Sequence, residues 1–166
     1  GTFSHLANLE FLKPILLELK NRCNFKLKLV TNFNFEIKGV DCDLVFWSKE
    51  KEVDDLQAID IGLYPLEDKT WSLGKSGLKA IQYMAFGIPT VASDIGSSSR
   101  IISHLQNGWL VKTEEEWLEA LETLIKDPSL RRSLGIEARK TVEKSYSLNA
   151  IEHQYLNILN KQVNDK

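Results

Sequence analysis

Short apolar segments alternate with helical segments along the 166 residues, and this alternation predicts an α/β fold. The segments 43–47, 60–66 and 89–93 are short and mainly apolar, which is typical of parallel strands covered by helices on both faces. The segment 76–86 has helical spacing and stops at Gly87, a residue type that often ends helices. We therefore expect one domain over residues 1–166: a Rossmann-like parallel sheet, helices on both faces and a helical C-terminus.

The individual elements follow from local patterns. Leucines recur every three or four residues over 5–22 and predict the first helix, in which Pro14 predicts a kink or a later start. Strict alternation of apolar and charged residues predicts a strand over 25–30. The remaining predicted elements are strands over 34–38, 43–47, 60–66, 89–93 and 108–112, and helices over 49–59, 76–86, 97–105, 114–126, 128–143 and 147–163.

The composition excludes several classes of protein. Hydrophobic residues make up 43% of the chain and charged residues 27%, which is ordinary for a globular domain and excludes disordered, collagen-like and coiled-coil chains. The net charge of −2 argues against a nucleic-acid partner. Cys23 and Cys42 lack the spacing of metal ligands and predict free thiols in a reducing compartment.

Ligands of such sheets bind at the carboxyl ends of the strands. Four predicted loops lie at that edge: 1–4, 48–49, 66–75 and 93–97. Three of them lead into helices whose first residues are rich in glycine, serine and threonine, which is the local chemistry of an anion site.

The helix within 74–87 carries the most informative pattern. Lys75, Lys79 and Gln82 share one face, and a cation in the first turn is disfavoured by the helix dipole by about 0.3–1 kcal/mol. A bound phosphate would reverse this effect, Gly74 and Gly77 would let the backbone approach it, and Gln82 could bind a ribose hydroxyl. The alternative is a solvated lysine-bearing face. The residues predicted to face the sheet are Leu78, Ile81, Met84 and Ala85.

Five consecutive blocks of sequence resemble a known family. They are DIGLYPL (60–66), GKSGLKAIQYMAFGIPTVAS (74–93), DIGSSSRII (94–102), NGWLVKTEEEWLEALETLI (107–125) and DPSLRRSLGIEARKTVEKSYS (127–147). Their order and spacing resemble the C-terminal, donor-binding domain of retaining family 4 glycosyltransferases, which have the GT-B fold.

The resemblance implies a nucleotide-sugar site. The diphosphate would lie at the helix start formed by Ser76, Gly77 and Leu78, with further contacts from Gly1 and Thr2. The base would lie near Trp47 and Ser48. The family has two glutamates that contact the donor sugar and the ribose; their positions here are occupied by Gly74 and Gln82, so both carboxylates are absent.

The implied chemistry is hexosyl transfer with retained anomeric configuration, without a metal or another cofactor. Lys75 and Lys79 are the expected catalytic residues, because cations there would stabilise the departing diphosphate. The acceptor would be a sugar or a lipid-linked sugar in polysaccharide or glycolipid synthesis.

The acceptor would be bound by an N-terminal domain that this chain does not contain, so we expect the isolated domain to be inactive. Residues 1–4 match the loop that follows the family's first strand. We therefore expect either a further strand before them or a sheet with a gap or a substitute strand. The expected location is the cytoplasm; contact with the inner face of the membrane is a second option, through the charged patch of Arg131, Arg132, Arg139 and Lys140.

Two other functions remain open. One is a non-catalytic nucleotide-binding or protein-interaction module of Rossmann-like fold, which the changes at Gly74 and Gln82 favour. The other is a GT-B sugar-nucleotide epimerase, against which the GKSGLK block argues.

Overall fold

A computed structural model describes residues 6–152 and 155–157 of the chain. Strands and helices alternate along it as the sequence predicts. The named elements are α1 (Leu6–Arg22), β1 (Leu27–Thr31), β2 (Cys42–Phe46), α2 (Glu52–Gln57), β3 (Gly62–Tyr64), α3 (Thr70–Leu73), α4 (Leu78–Ala85), β4 (Thr90–Ser93), α5 (Ser98–Ile101), β5 (Trp109–Val111), α6 (Glu114–Lys126) and α7 (Pro128–Ser145). Residues 148–152 and 155–157 are also helical.

All five strands of the described chain pair in parallel, but they form two sheets. β1 pairs with β2, with Leu29 opposite Leu44, while β4 lies between β3 and β5, with Val91 opposite both Leu63 and Trp109. The two sheets leave a cavity of about 760 Å³ between β1 and β3.

Helices cover both faces of the sheet, and β4 contributes to a core on each side. Its four residues are all buried. Val91 packs into the core formed by α1 and α6, which includes Leu16 and Trp117. Ala92, one residue along, packs into the core formed by α4 and α7, which includes Met84. The alternation of side chains along a strand thus divides one apolar segment between two cores.

Several predicted elements differ from the structure. Residues 34–38 contain no strand, and Ile37 instead packs into the α1 core from a loop. The helix predicted over 97–105 has only one turn, and 66–75 contains the short helix α3. Pro14 lies within α1, which begins at Leu6 rather than after the proline.

The apolar face predicted for α4 is correct except at its first residue, since Met84 lies in the core shared with α7 and Ile81 and Ala85 pack against that core. Ala80 and Met84 are the buried residues, whereas Leu78 is 59% exposed. Leu78 is the first residue of the helix, and helical spacing alone does not show where along its length a helix meets the core.

Two members of the charged patch on α7 have structural partners. Arg131 donates to the backbone oxygens of Leu124 and Ile125 at the end of α6. Arg139 donates to the backbone oxygen of Ala85 at the end of α4. Cations that bind the last carbonyls of a helix stabilise it. Among the described residues, no helix has the length and apolarity of a membrane span.

Candidate functional site

The carboxyl ends of the parallel strands place the predicted site residues at one edge of the molecule. Trp47 and Ser48 follow β2, and the start of α4 lies beyond β3. Between β3 and α4 the chain forms the short helix α3 and then Gly74, Lys75 and Ser76. Residues distant in sequence therefore meet where this fold class binds its ligands.

The start of α4 is fixed by a close approach at Gly77. Gly77 has φ +77°, and a Cβ there would lie 2.2 Å from Ile101 Cδ1 and 2.9 Å from Ser97 Oγ. Ser97 Oγ donates a hydrogen bond of 2.7 Å to the backbone oxygen of Lys75. No side chain caps α4, and its first backbone bond runs from Ile81 N–H to Gly77 O. Its first N–H groups therefore lack intrahelical acceptors and suit an anion.

A cavity of about 420 Å³ opens beside this helix start. Lys75 and Lys79 both line it, which brings the two predicted catalytic cations together. Its other lining residues are Tyr64, Trp71, Gly74, Ser76 and Leu78. Two lysines beside uncapped N–H groups form a positively charged recess that would attract a phosphate group.

Burial shifts the pKa values of two side chains that line this recess, Lys79 and Tyr64. Burial first, and the nearby charge of Lys75 second, lower the pKa of Lys79. Burial also raises the pKa of Tyr64, while a hydrogen bond from the Gly77 backbone opposes that change. The charged form of Lys79 is thus destabilised in the free protein, which an anionic ligand would reverse.

A second cluster lies at the end of β2, and its central residue is Glu52, the first residue of α2. Glu52 Oε1 accepts a hydrogen bond of 3.0 Å from Gln82 Nε2, and Glu52 Oε2 accepts one of 3.3 Å from Trp47 Nε1. One carboxylate therefore joins the residues predicted to bind the ribose and the base. Lys79 and Tyr64 line both the small recess and the large cavity, which these three residues also line.

Five further residues were predicted to bind the nucleotide sugar, and the structure describes three of them. Gly1 and Thr2 lie outside the described residues, so their predicted contacts stay predictions. Gly77 is buried beneath the recess, and Ser48 accepts a backbone hydrogen bond from Lys51 at the start of α2. At Gly74 an added Cβ would meet nothing nearer than Trp71 O at 3.8 Å, so this position faces open space.

The sequence prediction of no metal site overlooked one Asp-x-Asp triplet, Asp41-Cys42-Asp43. The structure places it at the beginning of β2, at the opposite edge of the sheet from Trp47. Within the described part of the chain, no group of three or more histidines, cysteines or carboxylates is arranged to hold a metal ion.

Comparison with known proteins assigns the family. The model of the group 1 glycosyl transferases matches residues 38–141, which include both clusters described above. This chain belongs to the group 1 glycosyltransferase family.

Relatives and solved structures agree with this assignment. Glycosyltransferase 1 domain-containing protein 1 of Xenopus tropicalis is 32% identical over 130 residues, which are 78% of this chain. The chain spans only 37% of the length of that curated relative. The C-terminal domain of the group 1 protein LpcC from Francisella tularensis has a TM-score of 0.69 at 20% identity, over 89% of this chain and 85% of that one. HepE of Anabaena, in complex with UDP-glucose, has a TM-score of 0.65 at 15% identity, over 89% and 44%.

The likeness to these solved structures confirms the predicted fold class, a mixed α/β domain with parallel strands and flanking helices, as in one half of a GT-B fold. Sequence reasoning missed two residues of the site. Glu52 is an acidic residue at the first turn of the helix that follows β2, and this placement could have identified it. Tyr64 ends an apolar strand, so its sequence environment resembles that of any core tyrosine.

Gly77 and Gly74 provide a matched pair of substitutions. We expect Gly77→Ala to lower the free energy of unfolding by at least about 1–2 kcal/mol, because alanine is strained at positive φ and its Cβ would collide with Ile101. Gly74→Ala should change it by less than about 0.5 kcal/mol. Urea unfolding measures both; equal losses would contradict the assigned difference.

Lys79 should destabilise the free protein. Its pKa is lower in the folded than in the unfolded chain, so folded-state stability should rise as pH increases through the lowered pKa and level off near 10.5. Lys79→Met should therefore raise the melting temperature at pH 7 and have a smaller effect near pH 10. The exposed Lys38→Met is the control. A lower melting temperature for Lys79→Met at pH 7 would show that Lys79 is stabilising.

Proposed function

We propose that this chain is the nucleotide-sugar-binding part of a retaining glycosyltransferase that transfers a hexosyl group. The observation that carries the proposal is the recess at the uncapped start of α4, where Lys75 and Lys79 lie beside a helix N-terminus at the carboxyl edge of the sheet. Membership of the group 1 family supports it. So does the UDP-glucose complex of HepE, a protein of the same fold.

The recess suits stabilisation of a leaving diphosphate. When the bond between the anomeric carbon and the diphosphate oxygen breaks, negative charge grows on that oxygen. Lys75, Lys79 and the first N–H groups of α4 would hold this charge without reorganising, because Gly77 and Ser97 fix their positions. The acceptor hydroxyl oxygen then bonds to the anomeric carbon on the face that the diphosphate left, and the hydroxyl proton passes to the departing diphosphate oxygen. No metal is needed in this scheme.

The cluster around Glu52 suits the nucleoside. Trp47 is half exposed and offers a ring for the base, while the carboxylate of Glu52 lies within hydrogen-bonding distance of Gln82. In the resembling family a glutamate at the position of Gln82 binds the ribose. Here Glu52 supplies a carboxylate to the same place from α2, and we assign it the contact with the ribose hydroxyls.

The carboxyl edge also carries large apolar side chains that remain exposed. Trp71 is 82% exposed, and its neighbours along this edge are Phe46, Trp47, Val53, Leu73 and Leu78. Exposed apolar patches of this kind mark surfaces that meet another surface. We assign this edge to the cleft in which the acceptor is bound by another part of the protein, so the part described here should transfer sugar poorly when alone. Cytoplasmic location and lipid-linked or polysaccharide acceptors remain part of the proposal.

Gly74 favours a second function. The family's sugar-contacting glutamate is replaced by a residue with no side chain, and the recess is open at that position. A domain that binds a nucleotide without catalysing transfer would have this arrangement.

Nucleotide titration tests the proposed site. Thermal unfolding with UDP, GDP, ADP and their sugar conjugates should show stabilisation by at least one of them, about 2.7 kcal/mol at 100 times its dissociation constant. Lys75→Ala should weaken binding of the nucleoside diphosphate about 10–100-fold, because a charge-assisted hydrogen bond contributes about 1.5–3 kcal/mol. The same substitution should leave the affinity for the nucleoside almost unchanged.

Lys38→Ala serves as the matched control for a loss of positive charge. Absence of stabilisation by every nucleotide at millimolar concentration would eliminate the donor-site proposal. Equal weakening of diphosphate and nucleoside by Lys75→Ala would show that Lys75 does not bind phosphate. Binding without transfer, even when the complete protein is assayed, would support the second function.

The role of Glu52 can be tested by exchanging its side chain with that of Gln82. Glu52→Gln should weaken nucleoside binding about 10-fold, as expected for loss of a hydrogen bond to a charged group. The double variant Glu52→Gln with Gln82→Glu restores a carboxylate beside the same hydrogen-bond partner and should recover most of the affinity. Isothermal titration calorimetry with uridine and 2′-deoxyuridine measures the affinity of each variant for a nucleoside with and without the 2′-hydroxyl. Equal binding of both nucleosides to the native chain would refute the ribose contact.

A further inference from the structure

Tyr64 is the last residue of β3, and its side chain lies on the face of the sheet that α4 covers. The tyrosine belongs to the core that also contains Ala80 and Met84 of α4, and only 6% of it is exposed. It nevertheless lines the recess together with Lys75 and Lys79. Packing therefore holds Tyr64 in place at the boundary between the core and the recess.

The hydroxyl of Tyr64 lies at the start of α4. Gly77 N–H donates a hydrogen bond to the hydroxyl oxygen, and Gly77 is buried beneath the recess. Gly77 is the N-cap residue of α4, so this bond takes the amide that precedes the first turn and uses none of the N–H groups of the turn itself. The hydroxyl is thus at the floor of the recess, beside the N–H groups that would meet a phosphate.

The Tyr64 hydroxyl also keeps a proton to donate. A hydroxyl oxygen that accepts from an N–H still carries its own hydrogen, which can bond to a different acceptor. Burial raises the pKa of Tyr64, so the phenol is protonated at neutral pH. The ammonium groups of Lys75 and Lys79 and the indole N–H of Trp71, which line the same recess, are donors only and cannot accept that hydrogen. An anionic oxygen in the recess would accept it.

We propose that Tyr64 binds the diphosphate directly, by donating a hydrogen bond from its hydroxyl to an oxygen of that group. This inference rests on the proposed nucleotide-sugar function, and it adds a neutral donor to the two lysines. Core packing and Gly77 N–H fix the hydroxyl before a ligand arrives, so binding orders little that is not already ordered. A hydrogen bond to an oxygen strengthens as negative charge grows on it, so the same contact stabilises the diphosphate as it departs.

The helix α4 allows a direct contact to be distinguished from a purely structural role. Lys79 in the recess and Gln82 in the cluster around Glu52 belong to this one helix, and Gln82 donates to Glu52. If Tyr64 only held α4 in place, its loss would displace both residues and weaken the nucleoside as well as the diphosphate. Loss of a direct contact weakens the diphosphate alone.

The variant Tyr64→Phe tests the contact, because it removes the hydroxyl and keeps the ring in the core. Tyr83→Phe is the matched control, since Tyr83 of α4 lines the large cavity but is not among the residues that line the recess. Isothermal titration calorimetry with UDP, GDP, ADP and the three corresponding nucleosides measures the affinities. We expect Tyr64→Phe to weaken the diphosphate that binds about 10-fold, as for loss of a hydrogen bond to a charged group. Its nucleoside should bind almost unchanged, and Tyr83→Phe should affect neither ligand.

Three results would overturn the role of Tyr64. Unchanged affinity of Tyr64→Phe for a diphosphate that the native chain binds would show that the hydroxyl does not contact it. Equal weakening of diphosphate and nucleoside would show that Tyr64 only positions α4. Equal effects of Tyr64→Phe and Tyr83→Phe would indicate a general loosening of the core. If the native chain binds none of the three diphosphates, the proposed function itself fails, and this result is distinct from the other three.

A measurement on the native chain covers the case in which Tyr64→Phe does not fold. The chain is labelled with carbon-13 at tyrosine Cζ, and Tyr83→Phe, Tyr146→Phe and Tyr155→Phe assign the other signals. The Tyr64 signal should move on addition of the UDP, GDP or ADP that binds and stay in place with its nucleoside, while the Tyr83 signal stays in place with both. A stationary Tyr64 signal in the diphosphate complex would refute the contact.

Discussion

The close packing at Gly77 is the constraint on which the candidate site depends. Gly77 lies against Ile101 and Ser97, while Ser97 also holds the backbone oxygen of Lys75. These contacts fix both where α4 begins and where the preceding segment lies. Because the helix start is uncapped, its N–H groups keep a defined direction without an internal acceptor. A side chain at position 77 would move the helix start, and the two lysines would move with it.

In the recess that this geometry forms, the charged form of Lys79 is destabilised. Lys79 is largely buried near Lys75, and its pKa is lowered as a result. Functional sites often contain such groups, because a charge that is costly in the free protein is stabilised when an opposite charge binds. The carboxylate of Glu52 accepts hydrogen bonds from both Trp47 and Gln82. These two residues come from separate elements and are held side by side by it.

Much of the fold could be predicted from the sequence because its strands are short, apolar and separated by helices with clear stops. Gly87 after α4 is such a stop, and its positive φ in the structure agrees with that role. The predictions that failed depended on contacts between parts of the chain that are distant in sequence. Residues 34–38 resemble a strand but pair with none of the strands that the structure describes, and Leu78 has the helical spacing of a core residue but is exposed. Glu52 was missed because its partners come from β2 and α4, which only the folded chain brings together.

The hydrogen bond from Arg139 of α7 to Ala85 O anchors the C-terminal end of α4, the helix whose other end forms the recess. In the described chain α4 has no side-chain cap at its start, whereas Arg139 binds a backbone oxygen at its C-terminal end, so this anchor and the binding capacity of the helix lie at opposite ends of its axis. Sequence drift at the binding end could then alter which anion is bound while the helix stays anchored. A change at Arg139 would have the opposite character, loosening the helix for every ligand alike.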